Sequence, residues 1–198
     1  MRLFVFIVVP LILFSGWQIV RREQTERGLA RVASQVAQRE VEVSCPGFWT
    51  RLVEITPNAG WVGFDENGRP GDKTQLSAQT CSSLVRLRKE GPPAVDCLLD
   101  RTHTCRTSTL EAVDAMVTLA HESWHLRGVL NEAQTQCYAV QSVGKVARSL
   151  GFDPVEAGLV ETYVAVADAR AGYDEYHSPQ CRPGGAYDLH PETPGWPT

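Results

Sequence analysis

Several signatures are missing from this chain, and each absence excludes something. No basic stripe, no Gly-rich phosphate loop and no aromatic RNA-binding pattern are present, so nucleic acid is not an expected partner. None of the cysteines forms a C-x-x-C pair, which argues against a cysteine zinc site or a thioredoxin-type redox motif. There are no internal repeats. Histidine is scarce, at five residues in 198. The balance is otherwise ordinary for a globular domain, with 43% hydrophobic and 21% charged residues and a formal net charge of −4. One domain with one core is expected.

Two of the five histidines stand four apart in His121-Glu122-Ser123-Trp124-His125. On a helix that spacing puts both imidazoles on one face, about one turn apart. Both can reach one metal ion, and Glu122 can reach a water on that ion as general base. A helix is expected here. Ser108-Thr109-Leu110-Glu111 reads as a capping box at its start, and Leu110, Val113, Val117, Leu119 and Ala120 recur near helical spacing, with Met116 and Trp124 in the same stretch. Arg127 and Gly128 mark its end. The plainer reading is a core helix with two satisfied histidines.

Two histidines do not close a zinc site, and a third protein ligand is expected with water in the fourth place. Asn131 can cap a following helix with Glu132 in its first turn. A short turn after Gly128 would bring that carboxylate to the histidines, so Glu132 is the expected ligand. The alternative is that Glu132 merely complements the helix dipole. His177, His190 and Asp188 are reserve ligands in the C-terminal segment.

At these residues the chain resembles the zincin metallopeptidases. HExxH followed by a Glu on the next helix is similar to the gluzincin arrangement, with a shorter than usual interval between His125 and Glu132. His121-Glu122-x-x-His125-x-x-Gly128 also resembles the start of the metzincin pattern, with Asn131 where that group has its third His. Glu132 to Ala139 resembles the second helix of compact bacterial metallopeptidases related to the phage-repressor-cleaving regulators. The resemblance covers residues 108–141. It implies one zinc per chain on His121, His125 and Glu132, a peptide or protein substrate, and an edge strand that holds the substrate backbone. A further donor would stabilise the oxyanion, with Tyr173, Tyr176, His177 and His190 as candidates.

The cysteines speak to compartment. Cys45, Cys81, Cys97, Cys105, Cys137 and Cys181 are even in number and dispersed, which suits three disulfides in an oxidising environment. Fifteen pairings are open. Cys97 with Cys105 would close a small loop, Cys137 with Cys181 would tie the C-terminal segment to the site, and Cys45 and Cys81 would remain. Reduced cysteines in a cytosolic domain are the alternative.

Residues 3–20 carry no charge and are closed by Arg21 and Arg22, at the lower limit of about 17–25 residues for a membrane span. An uncleaved anchor over 1–22 is expected, with a cleaved signal peptide as the rival. The basic residues that follow point to a cytoplasmic domain. The cysteines point outside the cytoplasm and are given more weight.

A linker helix over 23–42 with a weak stripe (Leu29, Val32, Val36, Val41) should lead to a domain over 43–181 and a Pro- and Gly-rich tail over 182–198, either wrapped or loose. Within the domain a hairpin is expected from Trp61–Phe64 and Lys73–Leu76 around Glu66-Asn67-Gly68. Helices are expected over Ser77–Lys89 and Glu132–Leu150, and from Asp153-Pro154 to about Ala171. The fold expected is α+β, helix-dominated and compact, zincin-like, with a small antiparallel sheet behind an N-terminal transmembrane helix. The expected function is a membrane-anchored, extracytoplasmic zinc hydrolase, most simply a peptidase. The alternatives are a non-catalytic zinc-binding or metal-free envelope domain, and an interaction module built on the Trp196-containing tail.

Overall fold

The computed structural model describes residues 23–47, 58–100, 102 and 104–192. The expected anchor over 1–22 and the tip of the tail, with Trp196, lie outside these residues. Among the described residues no helix is long and apolar enough to cross a membrane.

The order of elements is a helix over 23–37 (α1), β1 (Glu42–Ser44), β2 (Gly60–Phe64), β3 (Pro70–Leu76), α2 (Ala78–Glu90), a single 3-10 turn at Asp96–Leu98, α3 (Thr107–Leu126), α4 (Glu132–Ser149) and α5 (Pro154–Arg170). The architecture is α+β and helix-dominated, as expected. The helix boundaries follow from local chemistry. Ser77 accepts from the Thr80 amide and caps α2, and Gly91 ends it with φ 83°. Asp153 and Glu156 close a reciprocal capping box around Pro154 at the start of α5.

α3 is the central helix and packs against α2, α4, β2 and β3. Every residue from Leu119 to Leu126 is buried, so its C-terminal half is enclosed on all faces. Met116 and Leu119 are fully buried, each contributing about 1.5–3 kcal/mol by leaving water. The capping box expected at Ser108 is not used. The helix begins two residues earlier, with Arg106 at the N-cap and no side-chain cap, and the Arg106 carbonyl accepts from Thr109 and Leu110. The Cys97–Cys105 bridge fixes the chain just before this point.

The sheet departs from the expected antiparallel one. Its order is β1-β3-β2; β2 pairs antiparallel with β3, but β1 pairs parallel with it, so the sheet is mixed. β1 is only three residues long and alternates exposed Glu42 with buried Val43, too short a pattern to register as a strand. Its end is bonded to α2 through Cys45–Cys81. β2 is left as an edge strand.

Leu29, Val32, Ala33, Val36 and Ala37 of α1 are buried in the same cluster as the α3 and α4 core. The stretch read as a linker helix is thus a packed element, and the folded unit starts before residue 43. At the other end, Cys137–Cys181 bonds the C-terminal segment to α4. Gln141 then holds the segment past Cys181, donating to the Tyr187 carbonyl at 2.8 Å and accepting from the Leu189 amide at 2.8 Å. All three disulfides are those expected.

Candidate metal centre

His121 and His125 lie in the last turns of α3, and Glu132 is the first residue of α4. The connection between them is short because each piece is specified locally. Gly128 adopts φ 104°, a conformation glycine reaches without steric cost. Its amide and that of Val129 cap the His125 and Trp124 carbonyls at 2.8 and 3.2 Å. Asn131 then accepts from the Gln134 amide at 2.8 Å and starts α4. Glu132 is thereby turned back toward the histidines.

The result is a convergence of acceptors. Glu132 Oε2 lies 3.0 Å from His121 Nε2 and 3.2 Å from His125 Nε2. His125 Nδ1 faces the Val129 carbonyl at 2.7 Å, and His121 Nδ1 faces Gln136 Oε1 at 3.2 Å. Both partners are acceptors, so each Nδ1 is the donor there and each Nε2 is turned toward Glu132. Burial, and then the neighbouring His125, holds the His121 imidazole below its ordinary value and favours its neutral form. Two ring nitrogens and a carboxylate oxygen thus converge on one point, an arrangement a cation could bridge. The spacing also fits. In tetrahedral zinc sites with bonds of ~2.0–2.1 Å, neighbouring donor atoms are about 3.3 Å apart. His121, His125 and Glu132 form a group able to hold a metal ion, and the donor set does not name the metal.

Glu122 lies beside this group, 4% exposed. Its Oε2 is buried and has no hydrogen-bond partner among the described residues. Burial foremost, and the Glu132 charge next, push its carboxyl up to about 8, with Thr74 pulling the other way. β2 runs directly against it. A Cβ on Gly60 would come within 2.8–3.0 Å of the Glu122 side chain, so only glycine permits this approach. Phe64 packs edge-on to His125, ring centroids 5.8 Å apart. A cleft of about 360 Å³ opens over the metal group, bounded by Gly60, Trp61 and Phe64 of β2, Thr118 of α3, and Tyr176.

Of the four oxyanion candidates the structure brings one to the cleft. The Tyr176 ring centroid is 6.0 Å from that of His121, and burial raises its hydroxyl above the usual tyrosine value. Tyr173 is 77% exposed. His177 is taken up by Asp174 at 2.7 Å and Asp168 at 3.6 Å. His190 sits beside Glu192. Asp188, a reserve ligand with His177 and His190, accepts the Gly184 and His190 amides. None of these three joins the metal group.

Sequence reasoning passed over Gly60, Phe64 and Gln136. Gln136 could have been found, since it follows Glu132 by one helical turn on α4 and so faces the same way. Its amide nitrogen reaches back to Asp168 Oδ1 at 3.5 Å. Gly60 and Phe64 reach the site only through the pairing of β2 with β3. No protein-family model, no curated protein and no solved structure matches this chain.

Proposed function

We propose that this domain is a metal-dependent hydrolase, most simply a zinc peptidase. The observation that carries the reading is the pairing of a three-acceptor cation site with an orphaned buried carboxylate one residue away. A divalent cation held there supplies Lewis acidity, which polarises a carbonyl and makes water a stronger acid. His121, His125 and Glu132 would hold it. Glu122 Oε2, buried and without another partner, accepts the proton of the attacking water and delivers it to the leaving nitrogen. Tyr176, which lines the cleft, would donate its hydroxyl to a developing negative oxygen. β2 lines the cleft and is an edge strand among the described residues, where an extended peptide could add alongside it. Three disulfides favour an oxidising compartment, with residues 1–22 as the proposed membrane anchor.

The test is Glu122→Gln, assayed on a quenched-fluorescent peptide library alongside metal analysis. The variant should keep one metal per chain and lose hydrolysis by at least about a hundredfold. Full activity in the variant would sink the mechanism. The modest volume of the cleft favours a second reading, a non-catalytic metal-binding domain. Metal bound by wild type with no cleavage anywhere in the library would select it.

A further inference from the structure

A second cavity, of about 710 Å³, shares no lining residue with the metal cleft. One part of its wall is aromatic. The Trp124 and Tyr138 ring centroids are 4.7 Å apart, Trp124 donates to Ser142 Oγ at 2.9 Å, and the Arg127 guanidinium lies 4.5 Å above the Trp124 ring. Four basic side chains also line it, Arg127, Lys145, Arg148 and His190. His190 lies 3.6 Å from Glu192; among the described residues the other three form no ion pair, and the Lys145 ammonium bonds the Gln35 carbonyl.

The one acid in the lining is Glu161, on α5 and only 7% exposed. Among the described residues it has neither a hydrogen-bond partner nor an ion pair. Burial pushes its carboxyl up to about 7, although Arg148 and His190 draw it down. A buried carboxylate left in this state is costly. The fold nevertheless makes room for it. A Cβ on Gly144, in the middle of α4, would displace Glu161 Oε2 from its place. A glycine inside a helix costs about 1 kcal/mol relative to alanine. Two unfavourable choices thus meet at one point, and both leave a carboxylate at the cavity.

The lining therefore holds opposite charges that attract one another, Arg148 and His190 drawing on Glu161, without a hydrogen bond between them among the described residues. A purely anionic ligand would meet Glu161, and a purely cationic one would meet the bases. We propose that this cavity binds a small amino-carboxylate zwitterion with an apolar side chain. Its ammonium pairs with Glu161, its carboxylate with Lys145, Arg148 and the Arg127 guanidinium that covers Trp124, and its side chain lies against the half-buried Tyr138. A free amino acid and the termini of a short peptide share this chemistry. The inference does not depend on the metal centre or on hydrolysis.

Calorimetric titration of the full-length oxidised protein tests it, with EDTA present so that the probes cannot report a bound metal. The probes are L-phenylalanine, phenylalanyl-phenylalanine, N-acetyl-phenylalanine and phenethylamine. One or both zwitterions should bind, and the two probes lacking a charge should bind at least about tenfold more weakly. The tighter zwitterion identifies the source. Glu161→Gln and the exposed Arg148→Gln should each weaken binding by about tenfold or more while keeping a cooperative thermal transition. If Glu161→Gln does not fold, Arg148→Gln decides alone. No heat from either zwitterion at millimolar concentration, or unchanged affinity in the folded variants, would overturn the proposal.

Discussion

Replacing Glu161 by Gln should flatten the pH dependence of stability between pH 4.5 and about 7. The wild-type carboxyl is raised from 4.5 to about 7 by burial, against the pull of Arg148 and His190. Below pH 4.5 both the folded and the unfolded chain hold the proton, and the site costs nothing. As pH rises toward 7 the unfolded chain has lost its proton while the fold still holds it. Unfolding then releases a proton, and stability falls with pH. Above about 7 both states are ionised and the loss is complete. At 1.36 kcal/mol per pH unit the full difference is about 3 kcal/mol. Water in the adjoining cavity screens the charge, so about 2 kcal/mol is the expected loss. Glu122, held at about 8 in the metal-free chain, adds a slope of the same sign. The quantity to measure is therefore the difference between wild type and variant, by urea unfolding of oxidised, chelator-treated protein from pH 4 to pH 8. The two should agree at acid pH, and Glu161→Gln should be about 2 kcal/mol more stable at pH 8. Parallel curves across the range would refute the assignment of a strained carboxylate at this position.

Two further outcomes follow from the metal group and its turn. Zinc at about a hundred times its dissociation constant should add about 2.7 kcal/mol to the folded state. Glu132→Ala should lose most of the corresponding rise in melting temperature, and an unchanged rise would place the third ligand elsewhere. Asn131→Ala removes the bond to the Gln134 amide that starts α4. It should cost about 1 kcal/mol in thermal unfolding and, by loosening Glu132, weaken zinc in a chelator competition; tight zinc with a lowered melting temperature would separate the two roles.

The metal group was legible because everything that builds it is local. The i, i+4 histidines, the Gly128 stop and the Asn131 cap all lie in one short stretch of chain, and each acts through backbone chemistry at its own position. The same holds for the Asp153-Pro154 start of α5 and for the 3.6-residue periods of the long helices. Where position depended on distant parts of the chain, the residues were mute. β1 is a strand only because β3 lies beside it. The stripe from Leu29 to Val41 looked weak in isolation, yet α1 buries it against α3 and α4. Tyr176 was one of four equal candidates. Asp174 selects it by accepting the Tyr176 and His177 amides, which forms the turn, and His177 docks the turn on Asp168. Ser108 shows the opposite failure, a good local signal overridden where a disulfide fixes the chain ahead of the helix.

Glu122 and Glu161 pose one physical problem with two separate answers. Both are buried carboxylates without a hydrogen-bond partner at the oxygen or group that matters, and both lean on a glycine, Gly60 or Gly144, that clears space for them. At Glu122 a cation on the adjoining histidines would lower the cost of ionisation. At Glu161 that cation shares no cavity and offers no such relief, so compensation must come from a ligand of its own or from stability elsewhere. The disulfides supply the latter. Cys137–Cys181 closes a span of 44 residues, and a bridge of that kind contributes about 2–4 kcal/mol by restricting the unfolded chain. That is the size of the burden expected from one such carboxylate. The reduced, metal-free domain should therefore be less stable at neutral pH, where both acids are costly, than near pH 4, where both are protonated. A domain built only for stability would have no reason to keep either acid. Keeping two, each with a cleared slot and an open cavity, is what binding a charged group in each would require.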